Sequence, residues 1–505
     1  MHPRLFPPSF QTLSATKKYI LLIMMAIAIN LLLVNSYVLS SLIAFDNIMT
    51  NEKEEEETIS SFLADDEKTA ATKYVSRLAD VGITGNNGTE RMAEQVGVTS
   101  SNNLEDYRIA TKIKILENLQ TRVYLYDHPN ITLEEELDPR RNQWWRYATE
   151  IFYEESVLSL LKKSPLRTMD PDEADVFVPP IPMTRTLCAV HKKKRWRAAF
   201  ATLINHPIFR KHGGQHHLLI ALSFPLFRED NGSSVPLRPL YEHLVNMTLV
   251  QSWDQNGVSK AINDGYDFHE YQHHYKTHYS TPITHSSMSL GLGSEPDPSV
   301  VPFPEYLNIP RLDFYPKKLT FGIPLKLATM EKFNDCSNFI FYQTRTLPSF
   351  ANSTIYRQAP VTNVTMENLP KSKIGFGIDS KEEWIKEYID SKFCLVIRGD
   401  SPHSNALLRA VRVGCIPVVV ADCLPIYSPV MKSILNMSDY TIMMDEKKFT
   451  QNPEKSMLSL LALSEEEIEV KMKHLAFAQR VTMMDHPESL FIPAFLHGAV
   501  SAFNS

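Results

Sequence analysis

The sequence predicts an α/β protein built on parallel strands, with two domains behind an apolar N-terminal span. Three observations carry that prediction. Ser391–Pro425 reads as strand, polar loop, helix and strand in succession, and two parallel strands in one sheet need such a crossover. Short apolar runs and amphipathic helical stretches lie on both sides of a Pro-, Ser- and Gly-rich connection at Thr281–Pro310, which divides the body in two. Tyr19–Phe45 is almost wholly apolar and long enough to cross a bilayer with some tilt.

Within Ser391–Pro425, Phe393–Ile397 is an apolar, β-capable run of the length of a buried strand. Arg398–Ser404 is a polar loop whose last Ser can cap a helix. Asn405–Val413 carries apolar residues at helical spacing and stops at Gly414, a usual C-terminal helix residue. Cys415–Ala421 is the second strand, and Asp422 stands where it leaves the sheet. Such units bind ligands outside the carboxyl ends of their strands. A helix N-terminus there offers free N–H groups and a positive dipole end to a phosphate, and Arg398 adds a charge-assisted donor. The plain alternative is a solvated loop in an ordinary βαβ unit.

The chain has 505 residues with 52 basic and 58 acidic side chains, a net charge of −6 that gives no basic field for a nucleic-acid partner. Residues 1–18 are basic and read as a cytosolic tail, 19–45 as a single-pass type II signal anchor, and the acidic stretch 46–118 as a stem. A cleaved signal peptide is the alternative for the span. Seven Asn-x-Ser/Thr sequons, at Asn87, Asn130, Asn231, Asn246, Asn352, Asn363 and Asn436, all follow the span, in agreement with a lumenal body. The five cysteines are scattered and include no CxxC pair, so neither a disulfide scaffold nor a zinc site is expected, and Cys394 and Cys415 read as buried free thiols.

The first domain, 119–310, opens with a strand at Arg122–Tyr126 and a helix at Gln143–Leu161. A turn at Asp170-Pro171 leads to strand Val176–Pro179, with Glu173 and Asp175 on a solvated edge. Lys192–Arg197 reads as a solvated helix start, or as a patch for an anionic ligand. A turn and buried strand follow in His212–Pro225. His274 and His278 have helical i,i+4 metal-ligand spacing, but their Tyr-, Thr- and Pro-rich surroundings favour a surface loop. The second domain, 311–505, has a strand at Asn338–Tyr342, an amphipathic helix at Lys381–Lys392, and closing helices at Tyr427–Leu435 and Leu475–Leu496, the latter broken by Pro487 and Pro493.

SKFCLVIRGDSPHS followed by GCIPVVVADCLP resembles the signature of the exostosin-type glycosyltransferase family, SxFCLxPxGDxxxS then GCIPVxxxDxxxLP. RVYLYDHP is similar to the family's YxYDLP-like opening, with His128 for Leu, and SPLRTMDPDEADVFVPP resembles its SxxRTxDPxEADxFxVP run. Arg345 resembles the terminal Arg of an RxxxxFxGxxR-type segment. The resemblance implies two Rossmann-like domains facing a cleft (a GT-B-like fold), with the acceptor on the first and a nucleotide sugar, UDP-linked, on the second. It implies inverting transfer to a glycan or polysaccharide in the Golgi membrane, with no cofactor beyond the donor and a homo- or hetero-oligomeric partner as an option. With no Asp-x-Asp in a suitable loop, a helix dipole and arginine take the place of a divalent metal at the leaving diphosphate. Arg345, Arg398, Gly399, Asp400, Ser401, Ser404, Asn405, Arg409 and Asp422 are the donor-site candidates. Asp127 and His216 are the candidates for the catalytic base, with Glu150, Asp175 and His217 as alternatives.

The chain departs from the pattern at Ile397, where the family has Pro, and at Asp422, one residue closer to its Leu-Pro. It also has Ala406 and Arg409 where many members carry an Arg and an acid expected to contact the nucleotide. That exchange opens the reading of an inactive relative that binds glycans or stabilises a partner. A receptor-like ectodomain is a third reading.

Overall fold

A computed structural model of the chain describes residues 101–132, 148–181, 183, 193–222, 245–251, 254, 286–290, 324–344, 373–376, 381–397, 404, 406–427 and 429–504. The chain divides into two units, Met1–Met92 and Ala93–Ser505, and every described residue lies in the second. The apolar span Tyr19–Phe45 lies outside the described residues, among which no helix is long and apolar enough to cross a membrane.

Helix α1 (Ser101–Glu117) precedes β1 (Val123–Leu125), α2 (Pro129–Thr132), α3 (Ala148–Lys163), β2 (Arg167–Thr168) and β3 (Val176–Val178). Next come α4 (Lys193–Asn205), α5 (Pro207–His212), β4 (Leu218–Ile220), β5 (Thr248–Gln251) and β6 (Ser286–Ser289). The second half contains α6 (Met330–Asn334), β7 (Asn338–Thr344), β8 (Lys373–Phe376), α7 (Lys381–Ile389), β9 (Ser391–Ile397), α8 (Ala406–Arg412) and β10 (Ile416–Val420). It closes with α9 (Leu424–Tyr427), α10 (Met437–Tyr440), β11 (Ile442–Met443), α11 (Glu446–Gln451), α12 (Pro453–Leu458), α13 (Glu465–Thr482) and α14 (Phe491–Phe503).

Every described pairing is parallel. In the first half, β2-β1-β3 and β4-β5-β6 are joined by a parallel bridge between Phe177 and His217. In the second half the order is β11-β10-β9-β7-β8. The same winding governs both: the chain leaves β1 for β2 on one side and reaches β3 on the other, and it treats β7, β8 and β9 alike. Each sheet therefore reverses direction once, between β1 and β3 and between β7 and β9, as in doubly wound folds. This mixed α/β arrangement of parallel sheets fits the GT-B-like expectation. The inner strands β3 and β10 are buried at every residue, as parallel strands covered on both faces are.

The helix between β9 and β10 shows how local signals and packing combine. Ser404 Oγ accepts from the Ala406 N–H at 3.4 Å and the Tyr388 hydroxyl donates to the Ala406 carbonyl at 3.2 Å, so the start of α8 is tied to α7. At its end Gly414 N–H donates to Val411 O (3.1 Å) and Cys415 N–H to Ala410 O (3.0 Å), a Schellman closure with Gly414 left-handed at φ 66°. Gln479 of α13, fully buried, donates to the Val411 and Arg412 carbonyls at 2.8 and 3.1 Å and to Lys326 O at 2.8 Å, and its Oε1 accepts from Ala328 N–H at 2.8 Å. Arg412 pairs with both oxygens of Asp485 at 2.7 and 2.6 Å. A capping box at Ser464 and Glu467 starts α13.

Several expectations need correction. Cys394 and Cys415 are joined in a disulfide with a Cα–Cα distance of 5.8 Å. The register of β9 on β10 sets Cys394 opposite Pro417, two residues along from Cys415 and so on the same face. Ser286–Ser289, read as part of the interdomain connection, is the edge strand β6, anchored by buried Met288. Helix α9 ends at Tyr427 and residues 429–435 are non-helical, with bends at 430–431 and a turn at 432–434; Pro429 has no N–H to continue the helix. Pro493 lies in the first turn of α14, where a missing N–H costs nothing, so only the segment containing Pro487 interrupts the helices.

Candidate functional site

The second sheet's reversal lies between β7 and β9. Register places Phe341 beside Cys394, so Thr344 and Ile397, the last residues of the two strands, are level; Val420, at the end of β10, pairs with Ile397. The residues that follow Thr344 and Ile397 in the sequence are Arg345 and Arg398. Arg345, Arg398, Gly399, Asp400, Ser401 and Asn405 lie outside the described residues. Ser404 is described and half-buried at the head of α8.

Asp422 emerges two residues after β10 and is exposed. Its Oδ1 accepts from the Glu446 N–H at 3.1 Å, while Glu446 Oε1 accepts from the Asp422 N–H at 2.9 Å. The pair locks the end of β10 to the start of α11. Glu446, a carboxylate only 7% exposed, was not singled out from the sequence; its signal was a DE pair straight after the apolar run TIMM. Arg409 is buried in the middle of α8, a helix with Leu407–Arg412 all buried, one turn in from Ser404.

At the first sheet's reversal, Leu125 of β1 is level with Val178 of β3, and Asp127 follows two residues beyond Leu125, exposed at the carboxyl end. The structure does not bring His216 to it. His217 pairs with Phe177, which makes His216 level with Val176 at the amino end of β3. Four residues of strand, about 13 Å, separate that level from Asp127. His216 is left-handed (φ 60°), its carbonyl accepts from Phe177 N–H at 2.9 Å, and its ring stacks on Phe503 at 5.1 Å. Burial, only partly offset by Asp175, lowers its pKa. Asp175 sits at the same end, its carboxylate accepting from Arg122 N–H at 2.8 Å.

His217 is a core residue. Its Nδ1 lies 2.7 Å from the Gln215 carbonyl, which can only accept, so the ring proton is there and Nε2 accepts from the Tyr126 hydroxyl at 2.7 Å. The ring stacks on Phe177 at 4.9 Å and meets Phe209 edge-on at 4.9 Å. Burial holds its pKa down to about 3, and burial likewise holds His212 down to about 4. Desolvation raises Tyr126 in turn. This bond ties β4 to the residue preceding Asp127. Glu150 lies in the first turn of α3. Among the described residues no group of His, Cys, Asp and Glu is placed to hold a metal ion, and His274 and His278 lie outside them.

No curated protein matches the chain. Residues 338–458, from the first residue of β7 to the last of α12, match the family model of the Exostosin GT47 domain. The second sheet and its helices are thus similar to the Exostosin GT47 domain, and this match supports an exostosin-type glycosyltransferase domain in that part of the chain.

Proposed function

We propose that the chain transfers a sugar from a UDP-linked donor to a glycan or polysaccharide acceptor with inversion, in a cleft between its two sheets. The observation that carries this reading is the reversal between β7 and β9, where two level strand ends each lead into an arginine, Arg345 and Arg398. Ligands of doubly wound sheets bind at such points. Arg345, Arg398, Gly399, Ser401, Ser404 and Asn405 bind the diphosphate as it departs, by charge and N–H groups rather than through a metal, and Asp400 takes the nucleotide's ribose. An acceptor hydroxyl oxygen attacks the anomeric carbon, the bond from that carbon to the diphosphate oxygen breaks on the opposite face, and the hydroxyl proton passes to a base. Asp127 is that base, exposed at the matching reversal of the first sheet. Asp422 shapes the site through Glu446 rather than by binding the nucleotide, and Arg409 supports α8 from within.

The body resides in the Golgi lumen on a single-pass type II anchor at Tyr19–Phe45. The buried Cys394–Cys415 disulfide supports an oxidising compartment. The test is thermal unfolding of the body from Ala93 onward with UDP- and GDP-sugars. A ligand that binds only the native state adds about 2.7 kcal/mol at one hundred times its Kd. The expected result is a raised midpoint with a UDP-sugar that disappears in Arg398→Ala. An unchanged midpoint with every nucleotide sugar would rule the reading out.

A further inference from the structure

Three sequons fall on described residues, and their surroundings differ. Asn130 and Asn436 are exposed, and neither side-chain nitrogen makes a hydrogen bond among the described residues. Asn436 caps α10 with its oxygen alone: Oδ1 accepts from Ser438 N–H at 3.3 Å and from the Ser438 hydroxyl at 2.9 Å. A glycosidic bond at Nδ2 leaves that oxygen, and therefore the cap, intact. Asn130 lies in the short helix α2, its side chain outward while Ile131 is fully buried, so a sugar there also displaces no packing. Asn246 differs. Its Nδ2 donates to Gly213 O at 3.0 Å, tying the turn after α5 to the start of β5.

We infer that Asn130 and Asn436 carry N-linked glycans, and Asn246 is not included. The inference rests on the lumenal placement proposed above, to which the buried disulfide adds an independent support. In the step, the amide nitrogen forms a bond to C1 of a lipid-linked oligosaccharide diphosphate. The bond from C1 to the diphosphate oxygen breaks, and the amide proton leaves with the lipid diphosphate. A glycan at each position keeps its face open to solvent. A partner subunit then docks elsewhere than on the Asn436 end of α10 or on α2 beside Asp127.

The test uses the full chain made in a eukaryotic cell with its own N-terminus. N-glycans are released enzymatically in heavy-oxygen water, which converts each occupied Asn to labelled Asp, and peptides are mapped by mass. Label at residues 130 and 436 is expected, with Asn436→Gln and Asn130→Gln each removing one step of the mobility shift. Label confined to other sequons overturns the assignment of these two sites while leaving the lumenal placement standing. Absence of label everywhere, with Cys394 and Cys415 recovered as free thiols, overturns the placement itself. Absence of label with the disulfide formed overturns the glycan inference alone.

Discussion

A Cβ added at Gly414 would sit 2.8 Å from the Lys326 carbonyl oxygen and 3.1 Å from the Ala328 Cα, and the residue is already left-handed at φ 66°. The left-handed conformation alone costs an L-residue about 1–2 kcal/mol, and both neighbours are backbone atoms that cannot swing aside. Gly414→Ala is therefore expected to lower stability by more than about 2 kcal/mol, read as a lower urea midpoint. An unchanged midpoint would mean that the 326–328 segment yields. Gly414 was legible from its place after an apolar helical run; the close approach of Lys326 was not, because that contact comes from 88 residues away, 414 against 326. His217 shows the reverse error. A polar His-His pair carries the same sequence signal whether it faces substrate or core, and Phe177 and Phe209, which bury it, come from other elements. Its folded pKa of about 3 lies below the unfolded value of about 6.5. Between those limits the unfolded chain holds a proton that the native chain does not. Stability is full above about pH 6.5 and falls as pH falls, by about 1.4 kcal/mol per unit for this group. Gln at 217 can accept from Tyr126 and donate to the Gln215 carbonyl without titrating. His217→Gln should flatten the loss of stability between about pH 6 and pH 4; an equally steep profile would assign the acid sensitivity to other groups.

The strand–loop–helix–strand unit was readable because each of its signals is local: an apolar run, a capping Ser404, a helical period and Gly414. Its fastening was not. The Cys394–Cys415 bond follows from the register of β9 on β10, which no single segment encodes. It encloses the whole candidate donor loop at a sequence separation of 21, a span for which a disulfide contributes roughly 3 kcal/mol through the unfolded chain. Replacing both cysteines by Ala is expected to lower stability by about that amount. Where the fold survives, nucleotide-sugar affinity should fall less than stability, since neither side chain reaches solvent. Gln479 secures the other end of α8. Gln479→Ala leaves the Lys326, Val411 and Arg412 carbonyls and the Ala328 N–H without this partner, at about 1–3 kcal/mol for each group that finds no substitute. Thermal unfolding reads the difference, and a loss below about 1 kcal/mol would show that water replaces the side chain. Strand β6 escaped sequence reading for a related reason. In SSMS only Met288 is apolar, and the strand exists because β5 and α14 stand ready to receive it; Gly498 of α14 leaves space for the Met288 side chain.

The two sheets are not closed off by their own segments alone. Helix α14, at the end of the chain, packs on β3, β5 and β6 of the first sheet, and α1 packs on α13 and α14. Asp254, beyond β5, donates its N–H to Tyr427 O at 2.7 Å and pairs with Lys432 of the second half. Helix α1 falls within 46–118, the stretch that composition reads as stem, because its polar residues outnumber its apolar ones. Its partners account for that: His474 Nε2 lies 2.9 Å from Glu105, Lys473 3.1 Å from Asp106, and Arg480 3.4 Å from Glu117. A helix held to another element largely by polar and ionic contacts gives no hydrophobic period, whereas Leu116, 1% exposed, is its apolar anchor. A chain beginning at Leu119 therefore lacks part of the fold. Losing the burial of Leu116 costs about 2 kcal/mol, and the exposed pairs Lys473–Asp106 and Arg480–Glu117 add at most about 1 kcal/mol each. A chain beginning at Ala93 should unfold several degrees above one beginning at Leu119, and Leu116→Ala in the longer chain should recover much of that gap. Raising the salt concentration should narrow the difference by the share owed to the charge pairs, leaving the part due to Leu116. Equal midpoints for the two chains would place α1 outside the cooperative unit, and the body would then begin at β1.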